Sequence, residues 1–268
     1  MILLLGGTSD SIEVARLLVN EGLPMIFSMA TDAPMDLPES PLVVIRRGPL
    51  NQVGMEESIS NDNINVIIDA THPYAVEVTR NALAVSRVTG VQYFRLIRKT
   101  VVKNHPNIIF AENHEDAARK AVSLGGTILA AIGIRNLATY VSMCHENGPR
   151  LIVRALPNKD SLRILESLGI PRGNWIIGQG PFSYEDNVTA IKEFGVMTLV
   201  TKDSGTRGGT EEKIQAALDQ GRKIVVVQRP PSDETLSFSE PMELVKAVKD
   251  YLMTISSKRE GVASETRL

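Results

Sequence analysis

The N-terminal stretch MILLLGGTSDSIEVARLL constrains the fold more than any other part of the chain. Its apolar run, residues 2–5, is typical of a parallel strand covered on both faces. Gly6 and Gly7 then allow a sharp bend and a close approach of the backbone to a ligand. Thr8 and Ser9 can cap the amphipathic helix that follows. A helix that begins there directs backbone N–H groups at the turn, which predicts a phosphate site.

The glycine turn departs from the full dinucleotide fingerprint G-x-G-x-x-G. Counted from Gly6, Thr8 and Ser11 stand where the second and third glycines would be. A tight turn without a ligand therefore stays open as an alternative. The second apolar strand, residues 25–30, completes a β-α-β unit and is followed by Asp32. An acid there favours the free 2′-hydroxyl of NADH, and a turn before Pro34 is the alternative interpretation.

The composition bounds the class of protein. The 268 residues suffice for one large domain or two ordinary ones. A net charge of -2 provides no basic field for nucleic acid. The single cysteine, Cys144, excludes an internal disulfide and a Cys-x-x-Cys site. The sequence has no signal peptide pattern and no apolar run long enough for a membrane helix. We expect a cytoplasmic protein with a small-molecule substrate and no nucleic-acid or membrane partner.

A second landmark is the segment DATHPYA, which follows the predicted strand 65–69. The strand delivers Asp69 and Thr71 to the carboxyl edge of the sheet, where open α/β folds bind ligands. His72 and Tyr74 then stand at the mouth of that crevice, before a predicted helix over residues 75–88. A histidine that only caps the helix is the alternative. The next predicted strand, 91–97, adds a cationic edge made of Arg95, Arg98 and Lys99.

The second half of the chain repeats the alternation of strands and helices. Helical segments of 10 to 15 residues between strands predict parallel sheets with right-handed crossovers. Two such sheets in tandem, with a boundary near residues 100–106, fit the number of strands. We therefore predict an N-terminal domain over residues 1–102, a C-terminal domain over residues 103–255 and a flexible tail over residues 256–268.

The third landmark is the loop TKDSGTRGGT, residues 201–210, between a predicted strand and a predicted helix. Glycines, hydroxyls and two cations are the composition of an anion-holding loop at a helix N-terminus. The loop lacks the Gly-Lys-Ser/Thr ending of a P-loop, which disfavours ATP. Lys202 and Arg207 can neutralise carboxylates or phosphates. A glycine-rich connection with solvated charges is the alternative.

Several common chemistries have no residues to carry them. The chain has no Tyr-x-x-x-Lys pair and no G-x-S-x-G nucleophile elbow. Its four histidines do not stand at metal-ligand spacings. The sequence thus predicts no metal site and disfavours hydrolysis by a metal or a serine.

Taken together, the three landmarks resemble the precorrin-6A reductases of cobalamin biosynthesis, including the branch that acts on the cobalt-containing substrate. The resemblance spans residues 1–230 in the right order. The residues that carry it are Leu3-Leu4-Leu5-Gly6-Gly7-Thr8 with Glu13-Val14-Ala15, Asp69-Ala70-Thr71-His72-Pro73-Tyr74-Ala75, Tyr93-Phe94-Arg95-Leu96, Lys202-Asp203-Ser204-Gly205, Gly208-Gly209-Thr210-Glu211-Glu212-Lys213-Ile214 and Ile224-Val225-Val226-Val227-Gln228-Arg229-Pro230.

The resemblance implies two tandem Rossmann-like α/β domains with the ligands in the cleft between them. It implies a reductase that moves a hydride from NADH or NADPH to one double bond of the macrocycle, turning precorrin-6A into precorrin-6B. On that basis the candidate cofactor-binding residues are Gly6, Gly7, Thr8, Ser9, Asp32, Asp69 and Thr71. The candidate substrate-binding residues are Arg95, Lys202, Asp203, Ser204, Gly205, Arg207, Gly208 and Gly209, since the ring bears several carboxylates.

The proton that accompanies the hydride has three possible sources, which are His72, Tyr74 and solvent. Family members that use NADPH often carry a basic residue after the second strand, where this chain has Thr31-Asp32. Two other classes of function stay open, a non-catalytic dinucleotide-binding regulator and a nucleotide-sugar-dependent α/β transferase. The sequence is compatible with a monomer or a homodimer, and with a cobalt-containing or a metal-free substrate.

Overall fold

A computed structural model of the chain describes residues 1–31, 34–144, 148–205, 208–230 and 236–265, with side chains up to residue 257. It divides into two compact units. The first comprises Met1–Arg98 with Ser232–Leu268, and the second comprises Lys99–Pro231. Each unit is an α/β domain with its own parallel sheet.

Strands and helices alternate along most of the described chain. The strands are β1 (Ile2–Leu5), β2 (Met25–Met29), β3 (Val43–Arg47), β4 (Val66–Asp69), β5 (Gln92–Leu96), β6 (Ile108–Ala111), β7 (Thr127–Ala131), β8 (Leu151–Ala155), β9 (Trp175–Ile177), β10 (Val196–Lys202), β11 (Lys223–Val227) and β12 (Ser237–Phe238). The helices are α1 (Ser9–Asn20), α2 (Gln52–Asn61), α3 (Val76–Thr89), α4 (His114–Leu124), α5 (Leu137–Met143), α6 (Lys159–Ser167), α7 (Tyr184–Glu193), α8 (Thr210–Asp219) and α9 (Pro241–Glu265), with short 3-10 turns at Ile134–Asn136 and Arg172–Asn174.

The first sheet has the strand order β12-β5-β4-β1-β2-β3. Its strands are parallel, with Leu5 level with Asp69 of β4 on one side and with Ser28 of β2 on the other. Ile2 and Leu4 face one core layer, where α1 and α9 pack. The other layer is formed by the opposite face of β1 with α2 and α3. A strand buried on both faces explains the unbroken apolar run of residues 2–5.

The second sheet has the order β6-β11-β10-β7-β8-β9, again parallel. Leu129 and Leu199 of its central strands pack against Ile191 of α7 and Ile214 of α8. Each sheet reverses its direction of winding once, between β1 and β4 in the first unit and between β7 and β10 in the second. Ligands of open α/β sheets bind outside the carboxyl ends of the strands at such points.

The C-terminal segment differs from the predicted domain division. β12 pairs with β5, and Leu244 and Val248 of α9 are fully buried in the core of the first unit. Residues from 236 onward therefore belong to the first unit and not to a second domain that ends at residue 255. The helix also continues to Glu265, past the predicted start of a tail at residue 256. The segment joins the first unit because the apolar face of α9 is buried against α1 and Phe94.

Within the described part of the chain, no helix combines the length and the apolar character needed to cross a membrane.

Candidate active site

Gly6 and Gly7, which follow β1, have different structural roles. A Cβ on Gly6 would lie 2.4 Å from Cζ of the buried Phe27 ring, so Gly6 is required for packing. Gly7 has a φ of +106° and open space on its Cβ side. Only Gly7 therefore combines a backbone conformation that favours glycine with room for a ligand to approach.

Thr8 caps α1 and joins the glycine turn to the end of β4. Its hydroxyl accepts the N–H of Ser11 at 3.1 Å and donates to the carbonyl of Ala70 at 2.9 Å. The Ser11 hydroxyl in turn accepts the N–H groups of Gly7 (3.1 Å) and Thr8 (3.0 Å). Because those two donors are engaged, the N–H groups that this helix end directs outward begin at the exposed Ser9.

Asp69 is the buried centre of the first sheet's carboxyl edge. Its side chain is 0% exposed and forms an ion pair with Arg95, whose side chain is 4% exposed. Its carboxylate also accepts the Thr71 hydroxyl (2.6 Å), the Thr79 hydroxyl (2.7 Å) and the Tyr93 hydroxyl (3.0 Å). The sequence predicts Arg95 on a substrate-facing cationic edge. The structure instead buries it, because the fully buried carboxylate beside it needs a positive partner.

The loop after Asp69 presents His72 and Tyr74 half-buried. The Thr71 N–H donates to Asp69 at 3.0 Å, which fixes the start of this loop. Nδ1 of His72 accepts the N–H of Tyr74 at 3.3 Å, and the two ring centroids lie 5.6 Å apart. An Nδ1 that accepts a hydrogen bond places the proton of the neutral ring on Nε2.

A cation lies beside the N-terminus of α1. Nε of Arg98 forms an ion pair with the carboxylate of Asp10, in the first turn of the helix. The two side chains are 13% and 11% exposed. Arg98 thus lies beside the start of α1, and its charge is shared with Asp10.

The second sheet carries an acid and an arginine at the corresponding place. Asp203 follows β10 and forms an ion pair with Arg229, with 3.1 Å between its Oδ1 and Nη2 of the arginine. Nε of Arg229 also donates to the Asp203 carbonyl at 2.9 Å, and the Thr100 hydroxyl donates to the carboxylate. Both carboxylate oxygens of Asp203 are therefore engaged by neighbouring residues of the second unit.

The loop after Asp203 is folded back on itself. The N–H of Ser204 donates to the Thr210 hydroxyl at 3.2 Å, and the N–H of Gly208 donates to the Gly205 carbonyl at 3.0 Å. A Cβ on Gly208 would lie 2.4 Å from Cβ of Ser204. Gly209 precedes α8 with a φ of +61°, and that helix has no side-chain cap. The described part of this loop is a tight turn that leads into the helix N-terminus.

Several cations gather at this second edge. Burial, and then repulsion from Arg135, lowers the pKa of Lys202 to about 8. Burial, and then repulsion from Arg154 and Lys202, lowers the pKa of Lys213 to about 8, although Glu212 opposes the change. Burial, and then Lys202, also lowers the pKa of His114 to about 4, so this imidazole is neutral at pH 7. Lys202 therefore lies close enough to Arg135 and Lys213 for repulsion, and Lys213 lies close enough to Arg154.

The structure thus sorts the predicted site residues into two groups, one at each carboxyl edge. The first edge has Gly6, Gly7, Thr8, Ser9, Asp69, Thr71, His72, Tyr74 and Arg95, and the second has Lys202, Asp203, Ser204, Gly205, Gly208 and Gly209. Asp32 and Arg207 lie outside the described residues. Over the described ranges, no group of three or more His, Cys, Asp or Glu side chains is arranged to hold a metal ion.

Sequence reasoning missed Arg154 of β8. Its guanidinium lies over the Phe182 ring, 4.1 Å from the ring centroid, and donates to Asn187 at 2.7 Å. The available signal was an arginine inside the apolar strand LIVRA, all of whose residues are buried. In the sequence, Lys213 and Arg229 stand out only as part of the family resemblance.

Two units with a shared strand order, each with polar loops at a winding reversal, define an α/β protein of two Rossmann-like domains. Residues 1–249 match the family described as Precorrin-6x reductase CbiJ/CobK. The chain belongs to this family, whose members are oxidoreductases of cobalamin biosynthesis that reduce precorrin-6A.

Two similar proteins are both named cobalt-precorrin-6A reductase. The one from Methanocaldococcus jannaschii is 34% identical over 249 residues, which cover 92% of this chain and 97% of that protein. The one from Priestia megaterium is 31% identical over 250 residues, with 92% and 98% covered. Among solved structures, CobK precorrin-6A reductase matches with a TM-score of 0.75 at 21% identity, covering 94% of this chain and 96% of that one. That likeness confirms the predicted fold of two Rossmann-like domains.

Proposed function

We propose that this chain reduces the cobalt-containing form of precorrin-6A with a reduced nicotinamide dinucleotide. The choice of the cobalt form is supported by the names of the relatives at 34% and 31% identity. The observation that carries the cofactor proposal is the first sheet's reversal point, where Gly7 is open and α1 begins at an exposed Ser9. A helix N-terminus with an open glycine beside it suits a pyrophosphate.

In this proposal the first edge holds the dinucleotide. The Ser9 N–H and hydroxyl bind a phosphate oxygen, and Gly7 gives the pyrophosphate room. Thr8 and Asp69 act as positioning residues, because their polar atoms are engaged with Ala70, Arg95 and Thr71. Asp32 is proposed to accept a ribose hydroxyl, which favours NADH over NADPH.

A reduced nicotinamide supplies a hydride to one carbon of the macrocycle, and the product then needs one proton. We assign that proton to Nε2 of His72, because its Nδ1 is held by the Tyr74 N–H. Tyr74, whose ring lies against His72, is the second candidate donor. The chain's own contribution is alignment of the two reactants, for which effective molarities of about 10⁵–10⁸ M are known.

The second edge is proposed to hold the carboxylates of the macrocycle. Lys202 contributes charge, while Asp203, Ser204, Gly205, Gly208 and Gly209 hold the loop in shape. Arg95 is assigned to positioning rather than to substrate binding, because it forms an ion pair with the buried Asp69.

The first test is a titration of the purified chain with NADH and with NADPH, followed by nicotinamide fluorescence. Cobalt-precorrin-6A or metal-free precorrin-6A is then added while the absorbance of the reduced cofactor is recorded. Loss of that band only when a macrocycle is present is the expected result. Cofactor binding without oxidation by either macrocycle would favour a regulator. No binding of either cofactor would overturn the assignment of the first edge.

The proton donor is tested with His72→Ala and Tyr74→Phe. We expect His72→Ala to lower kcat by about 10²–10⁴-fold with little change in cofactor affinity. His105→Ala is the matched control, since Nδ1 of this exposed histidine accepts the Asn107 N–H at 3.0 Å in the same local arrangement. Wild-type turnover in both the His72 and the Tyr74 variants would assign the proton to solvent.

A further inference from the structure

Arg154 has two buried hydrogen-bond donors without a described partner inside the second unit. The residue is 8% exposed, and its Nη1 donates to Asn187 Oδ1. Its Nε and Nη2 are buried and have no hydrogen-bond partner among the described residues. These two nitrogens form one side of the guanidinium fork, the side that binds two oxygens of a carboxylate or phosphate at once.

The surroundings hold this guanidinium in place. The Phe182 ring covers one face at 4.1 Å, and Asn187, which accepts from Nη1, is itself anchored by donating to the Ser183 carbonyl at 2.6 Å. A charged group is costly to bury unless its donors are satisfied. A rotamer fixed by an aromatic ring and an amide, with two donors left over, is the form expected of a preorganised binding group.

A second cation lies beside it. The segment with Phe182 packs on the start of α8, because a Cβ on Gly209 would lie 3.0 Å from Cβ of Pro181. One turn into that helix, Nζ of Lys213 donates to the Gly208 carbonyl at 3.2 Å. An ammonium carries three N–H groups, so this bond leaves donors for a ligand. The proximity of the two charges agrees with the repulsion from Arg154 that contributes to the lowered pKa of Lys213.

Two carboxylates, those of Asp186 and Glu212, lie near Arg154 and Lys213. Glu212 and Asp186 are close enough to oppose the lowered pKa values of Lys213 and Arg154 respectively. Within the described ranges, however, neither carboxylate forms an ion pair with either cation. Oε2 of Glu212 is itself buried without a hydrogen-bond partner there.

We infer that the second unit contains a binding site for one oxyanion, held by the Nε and Nη2 edge of Arg154 with Nζ of Lys213 as the second cation. The ligand is a phosphate or a carboxylate group. Its source rests on the proposed function, in which the second edge holds a carboxylate of the macrocycle; a phosphate of the dinucleotide is the other source that the experiment distinguishes. The site itself does not depend on the reductase chemistry.

The site is tested with inorganic phosphate alone, by isothermal titration of the full chain without cofactor or macrocycle. We expect Arg154→Gln to weaken phosphate binding about 10-fold or more, since two charged hydrogen bonds are lost. Arg154→Lys keeps the charge but loses the planar pair of donors, so we expect it to weaken phosphate binding as well. Arg150→Gln is the matched control, because Arg150 also lies over a phenylalanine ring but its Nε and Nη2 donate to Asn174 and Gly173. Equal phosphate affinity in Arg154→Gln and in the wild type would overturn the site.

A second readout covers the case in which Arg154→Gln does not fold. An anion beside Lys213 raises its pKa, so phosphate binding at pH 8 should take up protons. Titrations in buffers of different ionisation enthalpy measure that uptake, and Lys213→Met should reduce it. Unchanged uptake in Lys213→Met would contradict the role of this lysine.

Competition then identifies the source of the anion. Displacement of phosphate by 2′-phospho-ADP-ribose assigns the site to the cofactor. Displacement by uroporphyrin, a tetrapyrrole polycarboxylate, assigns it to the macrocycle. If neither displaces phosphate, the assignment to the proposed reductase fails even though the oxyanion site stands. If phosphate binding fails while cobalt-precorrin-6A is still reduced, only the oxyanion site is overturned.

Discussion

Two residues past the first central strand, each unit has a glycine in a positive-φ conformation with open space beside it, Gly7 after β1 and Gly133 after β7. The residue just before that glycine differs. Gly6 makes room for the Phe27 ring, whereas the second unit has Ile132, which is 2% exposed. The first turn is thus closely packed by an aromatic ring from β2, and only its second glycine is left for a ligand.

A further parallel lies at the ends of β4 and β10, which occupy the same place in the two strand orders. An acid pairs with an arginine from the neighbouring strand or the residues just after it, Asp69 with Arg95 and Asp203 with Arg229. The side-chain exposures are 0% and 4% in the first pair but 7% and 17% in the second. The first pair is a closed structural unit, and the second sits nearer to water.

The two edges differ most in their remaining charge. At the first edge Arg95 and Arg98 are paired with Asp69 and Asp10. At the second, Arg154 has no described carboxylate partner. A shared strand order therefore fixes where loops meet, while the side chains at the strand ends decide which ligand a loop can hold.

The largest expected loss of stability follows from replacing the buried acids Asp69 and Asp203. Asp69→Ala leaves Arg95 buried without its partner, which should lower the free energy of unfolding by about 3–5 kcal/mol. Asp203→Ala should cost less, about 1–3 kcal/mol, because Arg229 can reach water. Urea unfolding at pH 7 measures both, and an equal or larger loss in Asp203→Ala would contradict the contrast between the two pairs.

The next effect concerns Gly6. Gly6→Ala places a methyl group 2.4 Å from the Phe27 ring, and we expect a loss of about 1–3 kcal/mol from overpacking. Phe27→Leu should relieve part of that loss, so a double-mutant cycle should show favourable coupling. Additive losses would mean that the glycine is needed for its backbone and not for space.

Much of this architecture was predictable from the sequence. The unbroken apolar run at residues 2–5 predicted β1 to the residue. Such runs are buried on both faces, so their sequence has little freedom. The glycine turn and the end of β4 were also predicted together, because parallel strands bring their carboxyl ends to one edge.

The C-terminal segment and the cations were not predictable in the same way. Ser237–Phe238 is too short to show a period, and no local pattern tells which sheet a last strand joins. In the sequence, Arg95 and Arg154 both appear as single arginines near the ends of largely apolar strands. Whether such a charge is paired depends on neighbours far away in sequence, such as Asn187 for Arg154. Long-range partners of this kind are set by packing, which local patterns do not encode.

A smaller effect is expected at the cap of α1. Thr8→Ala removes the bond to the Ser11 N–H and the bond to the Ala70 carbonyl, at a cost of about 1 kcal/mol. Thr8→Ser keeps both partners and should restore most of that stability. The corresponding helix of the second unit, α5, has no side-chain cap, so the second unit offers no equivalent substitution. Thermal unfolding of the three proteins measures the difference, and a Thr8→Ser variant as unstable as Thr8→Ala would assign the effect to the methyl group.

The smallest effect is a pH dependence that belongs to the second unit alone. The pKa of Lys213 is about 8 in the folded chain and 10.5 in its ordinary state. Between these values the unfolded chain binds more protons, so this lysine makes the free energy of unfolding rise as the pH rises from about 8 to about 10.5. Because the side chain is only half-buried, we expect the free energy of unfolding to rise by about 1 kcal/mol or less over this range.

Lys213→Met should flatten this rise, while the exposed Lys159→Met should not. Trp175, the single tryptophan, lies in the second unit, so its fluorescence during urea unfolding at pH 7, 8.5 and 9.5 reports the relevant transition. Equal slopes for the wild type and Lys213→Met would show that the positive charge at the second edge is already compensated, and would remove the contrast between the two edges.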